Sequence, residues 1–251
     1  MLSTAAASRR PPPRSRISVV IPTKDEASNV AWVLERVPSY VDEVILVDGQ
    51  STDGTVEVAR AVCPELTLVV EPRPGKGAAL RAGFAAATGD IVVMLDADGS
   101  MDPGDIDRYV NRLEDGCDLV KGSRFRQGGG SSDISMLRKL GNLGLLRLFN
   151  LLYRSQFTEL CYGFMGFRRE KLAGLRLRAD GFEIETEIVA RAVRSGLVVG
   201  EIPSFEDERR HGESKLSPGR DGSRVLATLL RERFAERAYL PLAARRNGSH
   251  P

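Results

Sequence analysis

The sequence predicts an α/β fold, a mostly parallel sheet with helices on both faces. Three observations lead there. Short apolar runs alternate with segments of helical period, in the order strand, helix, strand, helix, strand. The runs are rich in Val and Ile, as in strands covered on both sides. They end in polar turns, and ligands of such sheets bind beyond the carboxyl ends of the strands.

Ile17 to Ile21 is the first strand and runs into Pro22-Thr23-Lys24-Asp25-Glu26. Val30, Val33, Leu34 and Val37 then recur at helical spacing. Val44 to Val47 is a second strand, ending in Asp48. Gly49 to Gly54 is turn chemistry, with Thr52 or Asp53 as N-cap of a helix from Thr55 to Val62. Leu66 to Val70 is a third strand. Gly75-Lys76-Gly77 precedes a helix from Ala78 to Ala87. It is either an exposed turn or an anion site built from free backbone N–H groups and one cation.

The fourth strand opens the stretch that organises the chain, Ile91 to Asp102 (IVVMLDADGSMD). Asp96 and Asp98 follow a buried run directly, where carboxylates are costly unless something positive meets them. One alternative is a strand that stops at an Asp-rich turn. The other is a hard cation, Mg²⁺ or Mn²⁺, with substrate phosphates completing its oxygen shell.

A helix from Gly104 to Leu113 and a strand from Leu119 to Phe125 follow. Arg124 is either an ordinary ion pair or a guanidinium facing a diphosphate. Arg126 to Asp133 is a Gly- and Ser-rich mobile loop, a lid or a connector. Met136 to Tyr153 is Leu-rich with Arg138, Lys139, Arg147 and, just beyond, Arg154. It is either a core helix or one lying in a membrane interface, a peripheral membrane contact through 136–154. Glu159 to Arg169 is expected as a strand crossing the sheet end. Gly181 to Arg194 forms a helix whose Glu183 and Glu185 suit its dipole. Val198 to Ile202 is the last strand, before the charged loop Asp207 to Lys215 and a helix from Asp221 to Phe234.

Composition narrows the classes. A net charge of +2 over 251 residues gives no field suited to nucleic acid. The 3 cysteines have no metal or redox spacing, which fits a reducing compartment. No apolar run approaches the ~18 residues of a membrane span. The expectation is a cytoplasmic protein, at most peripheral on the inner face of the cell membrane. Residues 1–16, made of Ala, Ser, Arg and Pro, are expected as a disordered tail. Residues 17–218 form the α/β domain, 219–240 a C-terminal helix and 241–251 a flexible tail. Oligomeric state is not encoded in any of these features.

Taken in order, PTKDEASNV, VDGQSTDGT, GKGAALRAGF, GDIVVMLDADGSMDP, KGSRF, YGFMGFRR, GFEIETEI and HGESKL resemble the family 2 glycosyltransferases of the GT-A fold. The resemblance is greatest to the dolichol-phosphate (polyprenyl-phosphate) mannose synthase branch and covers roughly Ile17 to Leu216. It implies an inverting, metal-dependent hexosyltransferase of the EC 2.4.1 type. The sugar would move from a nucleotide-sugar, of GDP-mannose or UDP-glucose type, to a polyprenyl phosphate. Pro22, Lys24, Glu26, Val47 and Asp48 would hold the nucleoside end of the donor. Asp96, Ala97 and Asp98 stand at the DxD motif, with Asp96, Asp98 and Ser100 toward Mg²⁺ or Mn²⁺. Lys76, Arg124, Arg209 and Lys215 would meet phosphates, and Arg138 the acceptor phosphate. The anionic acceptor needs no general base. A saccharide or small-molecule hydroxyl acceptor would need one, with Glu185 or Glu187 the candidates; a degenerate nucleotide-sugar binding protein is the non-catalytic alternative. Three positions depart from the family pattern: Gly49 where a second Asp is common, Ser100 for Gln, and Lys24 for an aromatic. The only tryptophan is Trp32, away from the Gln-x-x-Arg-Trp motif of processive synthases.

Overall fold

The computed structural model describes residues 14–132, 134–213 and 216–235. Its seven-stranded sheet is built from β1 (Ile17–Thr23), β2 (Glu43–Asp48), β3 (Thr67–Val70), β4 (Ile91–Met94), β5 (Leu119–Ser123), β7 (Met165–Arg168) and β8 (Val199–Pro203), in the order β3-β2-β1-β4-β7-β5-β8. Two further strands, β6 (Gly130–Ser131) and β9 (Phe205–Glu206), pair in parallel beside it. Only β7 runs antiparallel, between β4 and β5.

Both faces are covered. Val20, Val92 and Met94 point into one core, shared with α3 (Lys76–Ala86), α5 (Met136–Tyr153), α6 (Arg169–Gly174), α7 (Ile184–Arg194) and α8 (Pro218–Phe234). Val19, Ile21, Ile91 and Val93 point into the other, shared with α1 (Ala27–Arg36), α2 (Thr55–Val62) and α4 (Ile106–Glu114). The alternation along β1 and β4 is the two-residue period of a strand, and helices on both sides make most positions of both sets apolar, Ser18 and Thr23 being the buried polar exceptions in β1.

Several local expectations are corrected. The strand expected over Glu159 to Arg169 is confined to Met165–Arg168 and lies inside the sheet rather than across its end. Residues before it are bound by side chains: Glu201 accepts the N–H of Thr158 and Glu159. The N-cap of α2 is Gly54, while Asp53 accepts the Thr55 N–H at 3.0 Å. The Gly- and Ser-rich segment is tied down in part. Gly130–Ser131 pairs with β9, and Ser131 donates to Glu206 at 2.6 Å. Of the residues expected as an N-terminal tail, 14–16 are anchored: Arg14 donates to the Tyr40 carbonyl at 2.6 Å and Arg16 N–H to Asp90 at 2.9 Å. Residues 1–13 and 241–251 lie outside the described residues. Among the described residues, no helix is long and apolar enough to cross a membrane.

Close seating of α3 on the sheet fixes where its first residue, Lys76, stands. Gly83 faces the sheet, where a Cβ would lie 2.8 Å from Val47 Cγ2 and closer still to Val20. Gly83→Ala gains about 1 kcal/mol of helix propensity but overpacks at a cost of about 1–3 kcal/mol. The expected outcome is net destabilisation of up to about 2 kcal/mol, read by urea unfolding.

Candidate active site

A cleft of about 1470 Å³ opens beyond the carboxyl ends of β1 and β4, roofed by α5 and the start of α8. Its floor is the acidic pair. Asp96 lies 2.6 Å from Lys76 Nζ, which lies 2.8 Å from Glu185. Asp98 lies 3.0 Å from Arg209, which lies 2.8 Å from Glu26. The result is two carboxylate–cation–carboxylate triads, one on each acidic residue. Asp96 is met from α3 and α7 on one face of the sheet. Asp98 is met from the start of α1 and the 207–211 loop on the other. That loop is held by Asp207 N–H on the Ser100 carbonyl, 2.9 Å, and by Asn29 on the His211 carbonyl, 3.1 Å.

Charge is unequal in this arrangement: among the described residues, four carboxylates share two cations. Burial and the neighbouring Asp98 and Glu185 raise the Asp96 carboxyl to about 6, against the pull of Lys76. Burial opposes the Lys76 charge, but Asp96 and Glu185 outweigh it and lift its pKa above the ordinary lysine value. Arg209 is likewise raised, Glu26 and Asp98 overcoming burial. An excess of carboxylate oxygen over cation is a donor set that suits a hard divalent ion. Asp96 and Asp98 are the residues that would hold it. Ser100, expected toward the ion, orients one of those carboxylates. Its hydroxyl donates to Asp98 Oδ1 at 2.7 Å and its N–H to the same oxygen at 3.0 Å.

The Gly75-Lys76-Gly77 loop is not a free anion site. Gly77 and Ala78 donate their N–H groups to the Asp180 carbonyl, at 2.7 and 3.1 Å. The glycines admit the 179–180 backbone, which a Cβ at either position would strike. This contact aims Lys76 at Asp96. Gly163 completes the wall: a Cβ there would lie 2.7 Å from Lys76 Nζ and 2.8 Å from Asp96 Oδ2.

Other expected site residues sort themselves by contact. Pro22, Lys24 and Glu26 line the cleft with Ala97. Lys24 reaches the Gln50 carbonyl, and Glu26 also accepts from Asn29 at 2.7 Å. Val47 is wholly buried in the core, packed under α3, and does not face the cleft. Asp48 is 4% exposed and turns its carboxylate onto the Ser51 N–H at 3.1 Å, closing its own turn.

Arg124 is the ion-pair alternative. Its guanidinium donates to both oxygens of Glu159, at 3.0 and 2.8 Å, to Glu206 at 2.8 Å and to the Cys161 carbonyl at 3.0 Å. Burial disfavours its charge, but these two glutamates more than compensate and raise its pKa. Glu185 faces the cleft. Glu187 does not: it is fully buried, accepts the N–H of Arg178 and Ala179 at 2.9 and 2.8 Å, and pairs with Arg191 at 2.7 Å. It is a structural carboxylate rather than a base. The Cys161 thiol, pushed by burial up to about 12, is inert in the cleft wall. Arg138 lies on α5 with its side chain outside the described residues, as is all of Lys215.

Sequence reasoning did not single out Gly163, Asp180 or the cleft-lining arginines Arg178, Arg220 and Arg224. Gly163 had a signal, the small residue amid aromatics in YGFMGF. Asp180 acts through its carbonyl and has none.

The raised Asp96 carboxyl makes a prediction with a definite sign. A group whose folded pKa lies above its unfolded one stabilises the fold fully at low pH. That contribution disappears as pH rises through about 6. In metal-free buffer, Asp96→Asn is expected to flatten the fall in stability between about pH 4 and 6, measured by urea unfolding across that range.

Comparison with known proteins agrees with this geometry. Residues 18–176 match Glycosyl transferase family 2. The glycosyltransferase AglJ of Haloferax volcanii is 31% identical over 229 residues, 88% of this chain and 73% of that protein. The dolichol-phosphate mannosyltransferase of Pyrococcus furiosus is 30% identical over 210 residues, 80% of this chain and 59% of that protein. Among solved structures, glucosyl-3-phosphoglycerate synthase from Mycobacterium tuberculosis superposes with a TM-score of 0.70 at 29% identity, over 87% of this chain and 80% of that one. That structure is a complex with Mn²⁺, UDP-glucose and phosphoglyceric acid. The matched region and the seven-stranded sheet agree: the chain is a GT-A glycosyltransferase and belongs to glycosyl transferase family 2.

Proposed function

We propose that the protein is an inverting, metal-dependent hexosyltransferase that moves a sugar from a nucleotide-sugar, of GDP-mannose or UDP-glucose type, to a polyprenyl phosphate. The observation that carries this is the acidic pair at the sheet edge, bracketed by Lys76 and Arg209 inside the cleft. Asp96 and Asp98 hold Mg²⁺ or Mn²⁺, which when bound neutralises charge on the leaving diphosphate. Lys76 and Arg209 supply further positive charge to that diphosphate. Pro22, Lys24 and Glu26 border the nucleoside. The bond from anomeric carbon to diphosphate oxygen breaks as an acceptor phosphate oxygen attacks from the opposite face. The acceptor is already an anion, so the chain supplies position rather than a base. The family resemblance assigns Arg138 to the acceptor phosphate and Lys215 to a donor or acceptor phosphate. A soluble hydroxyl acceptor is the second reading, favoured by one observation: Glu185 faces the cleft and is placed to serve as its base.

The outer surface supports the lipid acceptor. On α5, Met136, Leu140, Leu143 and Leu151 are exposed, and on α8, Leu226, Leu230 and Phe234. The two helices pack together, with Arg233 donating to the Leu152 carbonyl at 2.9 Å. Residues 136–154 contain no acidic residue. Both acids of α8, Asp221 and Glu232, are buried. Lys139, Arg147, Arg154, Arg231 and Arg233 are exposed among the apolar side chains. An apolar face whose described exposed charges on the two helices are cations fits the anionic cytoplasmic face of a membrane.

Two measurements test the reading. A short-chain polyprenyl phosphate offered with each nucleotide-sugar and Mn²⁺ is expected to yield a product that partitions into organic solvent. Asp98→Ala should lower transfer by about 10²–10³-fold or more with the fold intact. Transfer only to a soluble acceptor favours the second reading; donor binding with no transfer favours a degenerate binder. Wild-type protein should co-sediment with vesicles containing phosphatidylglycerol and not with pure phosphatidylcholine. Leu230→Glu with Phe234→Glu should abolish that binding without changing the melting temperature.

A further inference from the structure

The acidic pair carries an inconsistency that the donor reading alone does not resolve. Among the described residues the four carboxylates outnumber their cations, so this cluster favours more positive charge. Yet neither aspartate presents a free carboxylate. The Asp96 oxygens lie 2.6 and 2.9 Å from Lys76 Nζ. Asp98 has one oxygen 3.0 Å from Arg209 and the other taken by Ser100. An incoming divalent ion meets a cation already in place at each ligand.

We propose that Lys76 and Arg209 are exchangeable counter-cations: they neutralise Asp96 and Asp98 in the donor-free protein and pass to the nucleoside diphosphate as the divalent ion takes the carboxylates. The proposal rests on the donor reading above and deepens it. Three features make the exchange feasible. Both cations line the cleft, so phosphate oxygens can reach them. Neither is stranded by leaving its aspartate, because Lys76 retains Glu185 and Arg209 retains Glu26. Gly163 leaves open the side of the lysine tip that any larger residue would fill, a Cβ there lying 2.7 Å from Nζ. Phosphate oxygens accept charge-assisted hydrogen bonds from both ammonium and guanidinium, so the partners gained match those lost.

The consequence is a coupling between two ligands, equal in both directions. Metal alone must displace two resident cations. Metal arriving with a diphosphate finds those cations drawn away. Lys76 is therefore a positioning residue that sets when the carboxylates become available.

The test is isothermal titration of Mn²⁺ into the full chain, with and without saturating UDP, and in parallel GDP. Wild type is expected to bind Mn²⁺ at least tenfold more tightly with the matching diphosphate. A metal bridging to phosphate would contribute to that in any protein, so the variants decide. Lys76→Met should raise the affinity for Mn²⁺ alone by at least tenfold and shrink the coupling. Lys76→Met combined with Glu185→Gln removes one charge of each sign, keeps the local balance and guards against a fold lost to unpaired carboxylates. It too should bind Mn²⁺ alone at least tenfold more tightly than wild type. If the double variant returns to wild-type affinity, only net charge mattered and the exchange is overturned. Equal Mn²⁺ affinity with and without a bound diphosphate overturns the exchange but leaves the donor reading standing. If neither diphosphate binds under any condition, both fall.

Discussion

Two carboxylates one residue apart at the end of a doubly covered strand are the constraint around which this chain is arranged. Their desolvation is unfavourable by several kcal/mol each unless cations and hydrogen bonds compensate. The chain compensates with Lys76 on one side of the sheet and Arg209 on the other, each held in turn by a second carboxylate from a further segment, Glu185 or Glu26. None of these contacts can form until the sheet brings α3, α7, the start of α1 and the 207–211 loop to one edge. The site therefore depends on the topology as a whole. Buried ion pairs are weak sources of net stability. What the triads supply is orientation, each aspartate being held toward the cleft by a partner on its own face.

A second ionic cluster stands behind the first and gives the cleft its shape. Lys121 is fully buried in β5 and reaches the Glu159 carbonyl at 2.7 Å and Glu201 at 3.3 Å. Glu159 then grips Arg124 and accepts from Asn142 of α5 at 2.6 Å. Arg124 also holds Glu206 of β9, which accepts from Ser131 of β6. One continuous network thus ties β5, α5, the 158–161 segment and both short strands together. It determines where α5 roofs the cleft and where the chain carrying Arg209 begins. Arg124 serves the site by positioning its walls, and its guanidinium has little capacity left for a substrate.

The difference between what was legible and what was not comes from the range of the interactions. Ile17 to Ile21, Val44 to Val47 and the run before Asp96 announce themselves because burial on both faces demands apolar residues at nearly every position, Ser18 being the exception. The same demand misled at Val47: a buried valine at a strand end reads the same whether a ligand or a helix covers it, and here α3 does. The direction of β7 was hidden because a strand of four residues, MGFR, carries no mark of parallel or antiparallel pairing. Asp96, Asp98, Lys76, Arg209 and Glu26 were legible as charged residues in turns at the sheet edge, but not as triads. Pairing across more than 100 residues, as between Lys76 and Glu185, is set by the fold and leaves no local pattern. Asp180 illustrates the limit, since any residue has the carbonyl it uses.

The two surfaces of the cleft also explain each other. The floor is ionic and fixed by partners on both sides of the sheet. The roof is made by α5 and α8, whose inner residues Leu146, Phe149, Val225 and Leu229 are core and whose outer residues are apolar again. A helix apolar on its inner face needs only that face to fold. Leucines on the outer face of α5, with a phenylalanine and two leucines on that of α8, are not required by packing. With no exposed carboxylate among them, they resemble a surface selected against water and for anionic groups. The residues proposed to hold the donor therefore lie beneath helices whose outer sides suit a lipid interface. An acceptor with an apolar tail and an anionic head would meet a matching environment at each end. A wholly soluble acceptor would leave the outer faces of both helices without a physical reason for their composition.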